Sequence, residues 1–256
     1  MNSLLKTSLL GLLFGTVGTT IGGLIGVLNK NSSNKFLSFL LSIASGLMLS
    51  VVCFDLIPEA LESANLISAI EGIIIGIICM ILCENIVERK VNFLKKSKKS
   101  IKITEIENKK MDLLKTGVIT SIGLALHNLP EGLAIGSGFV ASSTLGYSLA
   151  IAICIHDIPE GIAMAVPMKN GGMKTSKVLS YVFLSGISTG IGAFFGKIVG
   201  EISTRIIAIC LSLAAGAMLY IVSGELIPEY NKLYSGKTST LGNIIGFLFG
   251  LIATNM

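Results

Sequence analysis

Eight apolar stretches, each long enough to cross a bilayer, leave this chain very few folds to choose from. Runs of about 20 residues suffice for a hydrocarbon core about 30 Å thick. They lie near Leu4 to Leu28, Phe36 to Ile57, Leu66 to Val87, Leu113 to Phe139, Leu145 to Pro167, Val178 to Val199, Ile206 to Ile227 and Thr238 to Thr254, the last being the shortest. In lipid each backbone polar group must be satisfied within its own segment, so such runs become helices. With 52% hydrophobic and 14% charged residues among 256, the chain also lacks the polar surface of a water-soluble domain. The expectation is an all-α integral membrane protein of eight transmembrane helices, with residues 1–256 forming a single domain. The first run is read as a span and not as a cleaved leader, because one lysine makes a poor positive flank and no small-residue cleavage site follows.

Basic residues set the expected orientation. The segment 89–112 between the third and fourth spans carries Arg89, Lys90, Lys95, Lys96, Lys98, Lys99, Lys102, Lys109 and Lys110, and such a segment stays in the cytoplasm. Three spans precede it, so the N-terminus is expected outside, and with eight spans the C-terminus also. Lys30 and Lys35, then Lys169, Lys174 and Lys177, then Lys232 and Lys237 all fall inside on this count, against Lys6, Lys197 and Arg205 outside. The Lys-rich segment has no His and reads as a solvated linker that fixes topology. The five cysteines, Cys53, Cys79, Cys83, Cys154 and Cys210, all fall within spans and read as small apolar residues.

Four of the five prolines stand in one pattern, a polar or ionisable residue followed four positions later by a Glu that Pro immediately precedes. The copies are Asp55-Leu56-Ile57-Pro58-Glu59, His127-Asn128-Leu129-Pro130-Glu131, His156-Asp157-Ile158-Pro159-Glu160 and Glu225-Leu226-Ile227-Pro228-Glu229. Positions four apart share a helix face, so each copy offers two ligands one turn apart. Proline removes a backbone donor and crowds the carbonyl a turn earlier, that of Leu126 for Pro130 and Ile155 for Pro159, which predicts a locally opened, polar wall. In lipid that wall must face a cavity or other protein.

The outer two copies belong to a longer repeat, in which Gly46 to Glu59 matches Gly216 to Glu229 at a constant offset. Their spans run in opposite directions, which predicts an inverted repeat, spans 1–3 against spans 6–8, around central spans 4 and 5. Asp55 and Glu59 then stand at the outer mouth, Glu225 and Glu229 at the inner one, and the His-bearing copies midway along one path.

An ionisable group at the bilayer centre costs at least about 2.5 to 3.5 kcal/mol, so His127, Glu131, His156, Asp157 and Glu160 need a shared reason to be there. A divalent cation supplies one. Two neutral imidazoles and two carboxylates suit tetrahedral zinc, and the ion plus two carboxylates sums to zero charge. Zn2+, Fe2+, Mn2+ and Cd2+ all accept such donors. The chain has only these two histidines, in equivalent positions of neighbouring motifs. An intramembrane zinc hydrolase is the catalytic alternative, but it needs an open coordination position and usually His-Glu-x-x-His, which is absent. A metal sensor without net flux is the other alternative, and acidic groups at both mouths argue against it.

His127-Asn128-Leu129-Pro130-Glu131-Gly132 and His156-Asp157-Ile158-Pro159-Glu160-Gly161, with eight spans and a long segment after the third, resemble the Zrt/Irt-like protein (ZIP) family of metal transporters, its small bacterial members above all. The resemblance implies a binuclear centre between these two spans, elevator-like motion, and uptake of zinc, iron, manganese or cadmium toward the cytoplasm across the cell membrane. It implies a homodimer in the lipid bilayer, no enzymatic activity and no nucleic-acid partner. Carried over by residue, one ion is held by His127, Glu131, His156 and Glu160, and a second by Asn128 and Asp157 with the shared carboxylates of Glu131 and Glu160. Bacterial relatives commonly add a Glu from the sixth span, where this chain has Thr189, so its second position is expected to be weaker or to take water or another ion.

Overall fold

The apolar runs all become helices, and several extend beyond the predicted ends. The computed structural model describes residues 3–28, 33–96 and 105–254. Its helices are α1 (Ser3–Leu28), α2 (Asn34–Val51), α3 (Ile57–Ser63), α4 (Leu66–Lys96), α5 (Glu105–Ala141), α6 (Ser143–Asn170), α7 (Thr175–Gly200), α8 (Thr204–Ile221), α9 (Ile227–Leu233) and α10 (Lys237–Thr254). Two π-helical segments, Val52–Leu56 and Val222–Leu226, join α2 to α3 and α8 to α9. The Lys-rich segment narrows to residues 97–104, which lie outside the described residues, as do its basic side chains.

Among the described residues seven helical stretches are long and apolar enough to cross a membrane, and Lys237–Ala253 is a shorter apolar helix. The protein is thus an all-α, multi-pass membrane bundle. Its outward faces are apolar: Ile67 on α4 is 67% exposed and Ile252 on α10 is 60% exposed, which only lipid or protein can cover. Helix starts are fixed locally, since the hydroxyls of Ser33, Ser142 and Ser203 accept from the N–H groups of Phe36, Leu145 and Ile206. At the end of α6, Gly172 adopts φ 92°, and the N–H groups of Gly172 and Met173 donate to the carbonyls of Lys169 and Met168. That left-handed turn closes the helix and sends α7 back.

The repeat read from the sequence has a structural counterpart. The succession of α2, π segment and α3 recurs residue for residue, at one offset, as α8, π segment and α9. The packing partners recur too: α1 lies on α6 as α7 lies on α5, α2 on α10 as α8 on α4, and α3 on α8 as α9 on α2.

The prolines act differently from expectation. Pro130 and Pro159 sit inside unbroken α-helices. The widening occurs instead ahead of Pro58 and Pro228, where Ile57 and Ile227 donate five residues back, to the carbonyls of Val52 and Val222. A wider turn relieves the crowding between the pyrrolidine ring and the preceding turn.

Candidate metal centre

Helices α5 and α6 bring the two His-bearing motifs face to face. The glycine after each Pro-Glu pair makes this possible by letting a further helix close in behind. A Cβ on Gly132 would collide with the Thr189 carbonyl of α7, and one on Gly161 with the Thr19 carbonyl of α1. Here the absence of a side chain is a packing requirement.

The donor atoms crowd one region. Glu131 Oε1 lies 2.9 Å from His127 Nε2 and 2.7 Å from His156 Nε2. Glu160 Oε1 is 3.4 Å from His127 Nε2, and Asp157 Oδ1 is 3.7 Å from His156 Nε2. One ligand atom each from His127, His156 and Glu160 lies within 4.8 Å of the others, and Glu131, His156 and Asp157 form a second such trio. All are buried, His127 at 3% exposure and the rest at 1% or less.

Of these close pairs, His156 Nε2 and Glu131 Oε1 form a hydrogen bond and the others do not. Despite its short distances to two carboxylates, His127 Nε2 is not aligned to hydrogen-bond to either, and both Glu160 oxygens, both Asp157 oxygens and Glu131 Oε2 also lack a partner. Buried polar atoms are normally satisfied, so this concentration of free lone pairs is the mark of a cation site. Asn128 is fixed separately: its Nδ2 donates to the Ser185 carbonyl of α7 at 3.1 Å, which leaves Oδ1 free.

A cavity of about 270 Å³ leads away from the centre, with His127 and Glu160 at one end and Glu225 and Glu229 in its wall. Glu225 and Glu229 also line a second cavity of about 590 Å³, together with Asn34 and Lys232. Asp55 and Glu59 do not line that cavity, and Asp55 is buried. Thus the centre and the Glu225 pair share one path, while the Asp55 pair stands apart. Sequence reasoning missed Glu84, which lines the cavity and accepts a hydrogen bond from the Tyr220 hydroxyl. Its signal was available, as an acidic residue inside an apolar run. Cys83, read as a small apolar residue, also lines the cavity.

The family model described as ZIP Zinc transporter matches residues 87–254. The chain belongs to the ZIP family. It is 33% identical over 273 residues to "Zinc transporter ZupT" of Clostridium perfringens, covering 97% of this chain and 94% of that one. Identity to "Zinc transporter ZupT" of Corynebacterium glutamicum is 31%, over 94% of this chain and 92% of the relative. Human "Zinc transporter ZIP11" is 40% identical over 134 residues, 50% of this chain and 39% of that protein. Together with the buried cluster on α5 and α6, membership makes this ZIP protein an intramembrane metal transporter and not an enzyme, and the hydrolase alternative has no support.

Proposed function

We propose that this ZIP protein carries zinc toward the cytoplasm through the cluster on α5 and α6. The observation that carries the reading is the gathering of imidazole and carboxylate atoms, buried and mostly without hydrogen-bond partners, around one region. His127, Glu131, His156 and Glu160 hold one ion, with Asn128 and Asp157 completing a second position on the shared carboxylates. Mixed nitrogen and oxygen donors suit zinc, and the names of the relatives favour it, while Fe2+, Mn2+ and Cd2+ are the competing cargoes.

Asp55 and Glu59 receive the ion at the outer mouth, and Glu225 and Glu229 release it at the inner one. The continuous cavity from His127 to Glu229 supports release at the end where Lys232 lies. In this reading the chain forms one transporter domain of eight spans in the cell membrane, α10 being the eighth, with both termini outside. The matched packing of the two repeats supports an inverted arrangement of spans 1–3 and 6–8. A homodimer in the bilayer is the working assembly, with no nucleic-acid partner.

Radiometal uptake into proteoliposomes tests the assignment. His156→Ala and Glu160→Ala are expected to reduce uptake to background while both variants insert and elute as wild type. Normal uptake by both removes the site from the pathway.

A further inference from the structure

Glu131, Asp157 and Glu160 are at most 1% exposed. In the form that binds metal, with carboxylates ionised and imidazoles neutral, they bring three negative charges to one place. A single dication leaves one negative charge uncompensated, and two dications leave one positive charge in excess. Either remainder is costly inside a low-dielectric membrane protein. One dication with one monocation leaves nothing over.

The atoms available for that monocation have their own chemistry. Asp157 Oδ1 and Oδ2, Asn128 Oδ1, Glu131 Oε2 and Thr189 Oγ1 are buried and lack hydrogen-bond partners, and all are oxygens. The Asn128 amide is held by Ser185, so its oxygen is the free end. Asp157 belongs to the trio with Glu131 and His156 whose ligand atoms lie within 4.8 Å of one another. Thr189 is fully buried on α7, one helical turn beyond Ser185, with its side chain against Gly15 of α1 and its carbonyl against Gly132 of α5. Neutral amide and hydroxyl oxygens are poor partners for a borderline-soft transition metal, and they suit a hard cation.

We propose that the second position holds a sodium ion instead of a second transition metal, and that sodium binds together with the transported dication. The proposal rests on the ligand assignment under Proposed function. A proton would also balance the charge, but it would satisfy one oxygen and leave Asn128 and Thr189 without partners. An alkali cation takes several oxygens at once.

Zinc binding to the full-length protein in nanodiscs, measured by calorimetry in sodium chloride and in choline chloride at equal ionic strength and fixed pH, tests this. One zinc per chain is expected, bound about tenfold more tightly in sodium, within the usual range of coupling between two sites. By linkage, zinc must tighten sodium binding by the same factor, which sodium NMR reads independently of transport. Thr189→Glu restores a fourth carboxylate, so two zinc ions per chain and loss of the sodium effect are expected. Because that position is tightly packed, Asp157→Asn serves as a second variant: with two carboxylates left, one zinc balances the site and the sodium effect disappears. The proposal is overturned if wild type takes two zinc ions without sodium, or if one zinc binds equally well in sodium and in choline. Absence of any zinc binding would overturn the ligand assignment as well, and so distinguishes that failure from this one.

Discussion

The two halves of the molecule carry the same local device and use it differently. Each has an 18-residue helix, a π segment and a short helix beginning with Ile-Pro-Glu. Around Glu225 and Glu229 this device borders a cavity, whereas Asp55 is buried and neither it nor Glu59 lines that cavity. The difference lies in what α5 and α6 contribute. At the offset that carries His127 onto His156, the cavity-lining Thr120, Gly123 and Leu124 of α5 correspond to Leu149, Ala152 and Ile153 of α6, which lie in the apolar core. Leu149 and Ile153 are fully buried and pack with Val51, Val52, Leu56 and Ile135 as one apolar plug of the core. A Cβ on Gly123 would meet nothing within 4 Å. The cavity thus opens where α5 carries Thr120 and Gly123, and the corresponding larger, apolar Leu149 and Ala152 of α6 are packed in the core.

The largest test of this contrast fills the open half. Gly123→Leu has room for its side chain and is expected to abolish zinc uptake in proteoliposomes without lowering the melting temperature; undiminished uptake would take the cavity off the path. Emptying the closed half comes next. Leu149→Ala and Ile153→Ala each remove a fully packed side chain and are expected to cost about 2 to 5 kcal/mol, read as a lower melting temperature in detergent. If the plug is only filler, the double variant will lose stability and still show no zinc leak, and the contrast will be one of packing alone.

A smaller effect is chemical labelling. Cys83 lines the cavity and Cys53 does not. A membrane-impermeant thiol reagent added at the Lys232 end should modify Cys83 in a variant keeping only that cysteine, and Gly123→Leu should slow the reaction. Equal labelling from either side would contradict a path open at one end. The mildest expected effect is on pH. Imidazole binds metal only when neutral, so uptake at fixed free zinc should weaken as the medium is acidified. A flat profile in the absence of a proton gradient would detach the histidines from binding.

Much of the site was legible because its chemistry is written at helical spacing. A His and a Glu four residues apart must share a face, and two such pairs with no other His in the chain could be matched without coordinates. The role of the Gly that ends each motif depends on the helix behind it, α7 against Gly132 and α1 against Gly161. Glu84 and Cys83 were passed over because their relevance depends on the helix facing them. The effect of the prolines was placed on the wrong pair. Pro58 and Pro228 follow widened turns, while Pro130 and Pro159 are absorbed within continuous helices.

The amino-acid order alone determined that this chain is helical and membrane-embedded, that it contains a repeat, and that two His-bearing motifs form a pair. Those properties follow from solvation of the backbone in lipid and from periodicity along one helix, both local in sequence. Only the tertiary structure decided which acidic pair shares a cavity with the centre and which stays out of that cavity's wall. That outcome depends on the volumes of side chains meeting across helices, which no single segment encodes.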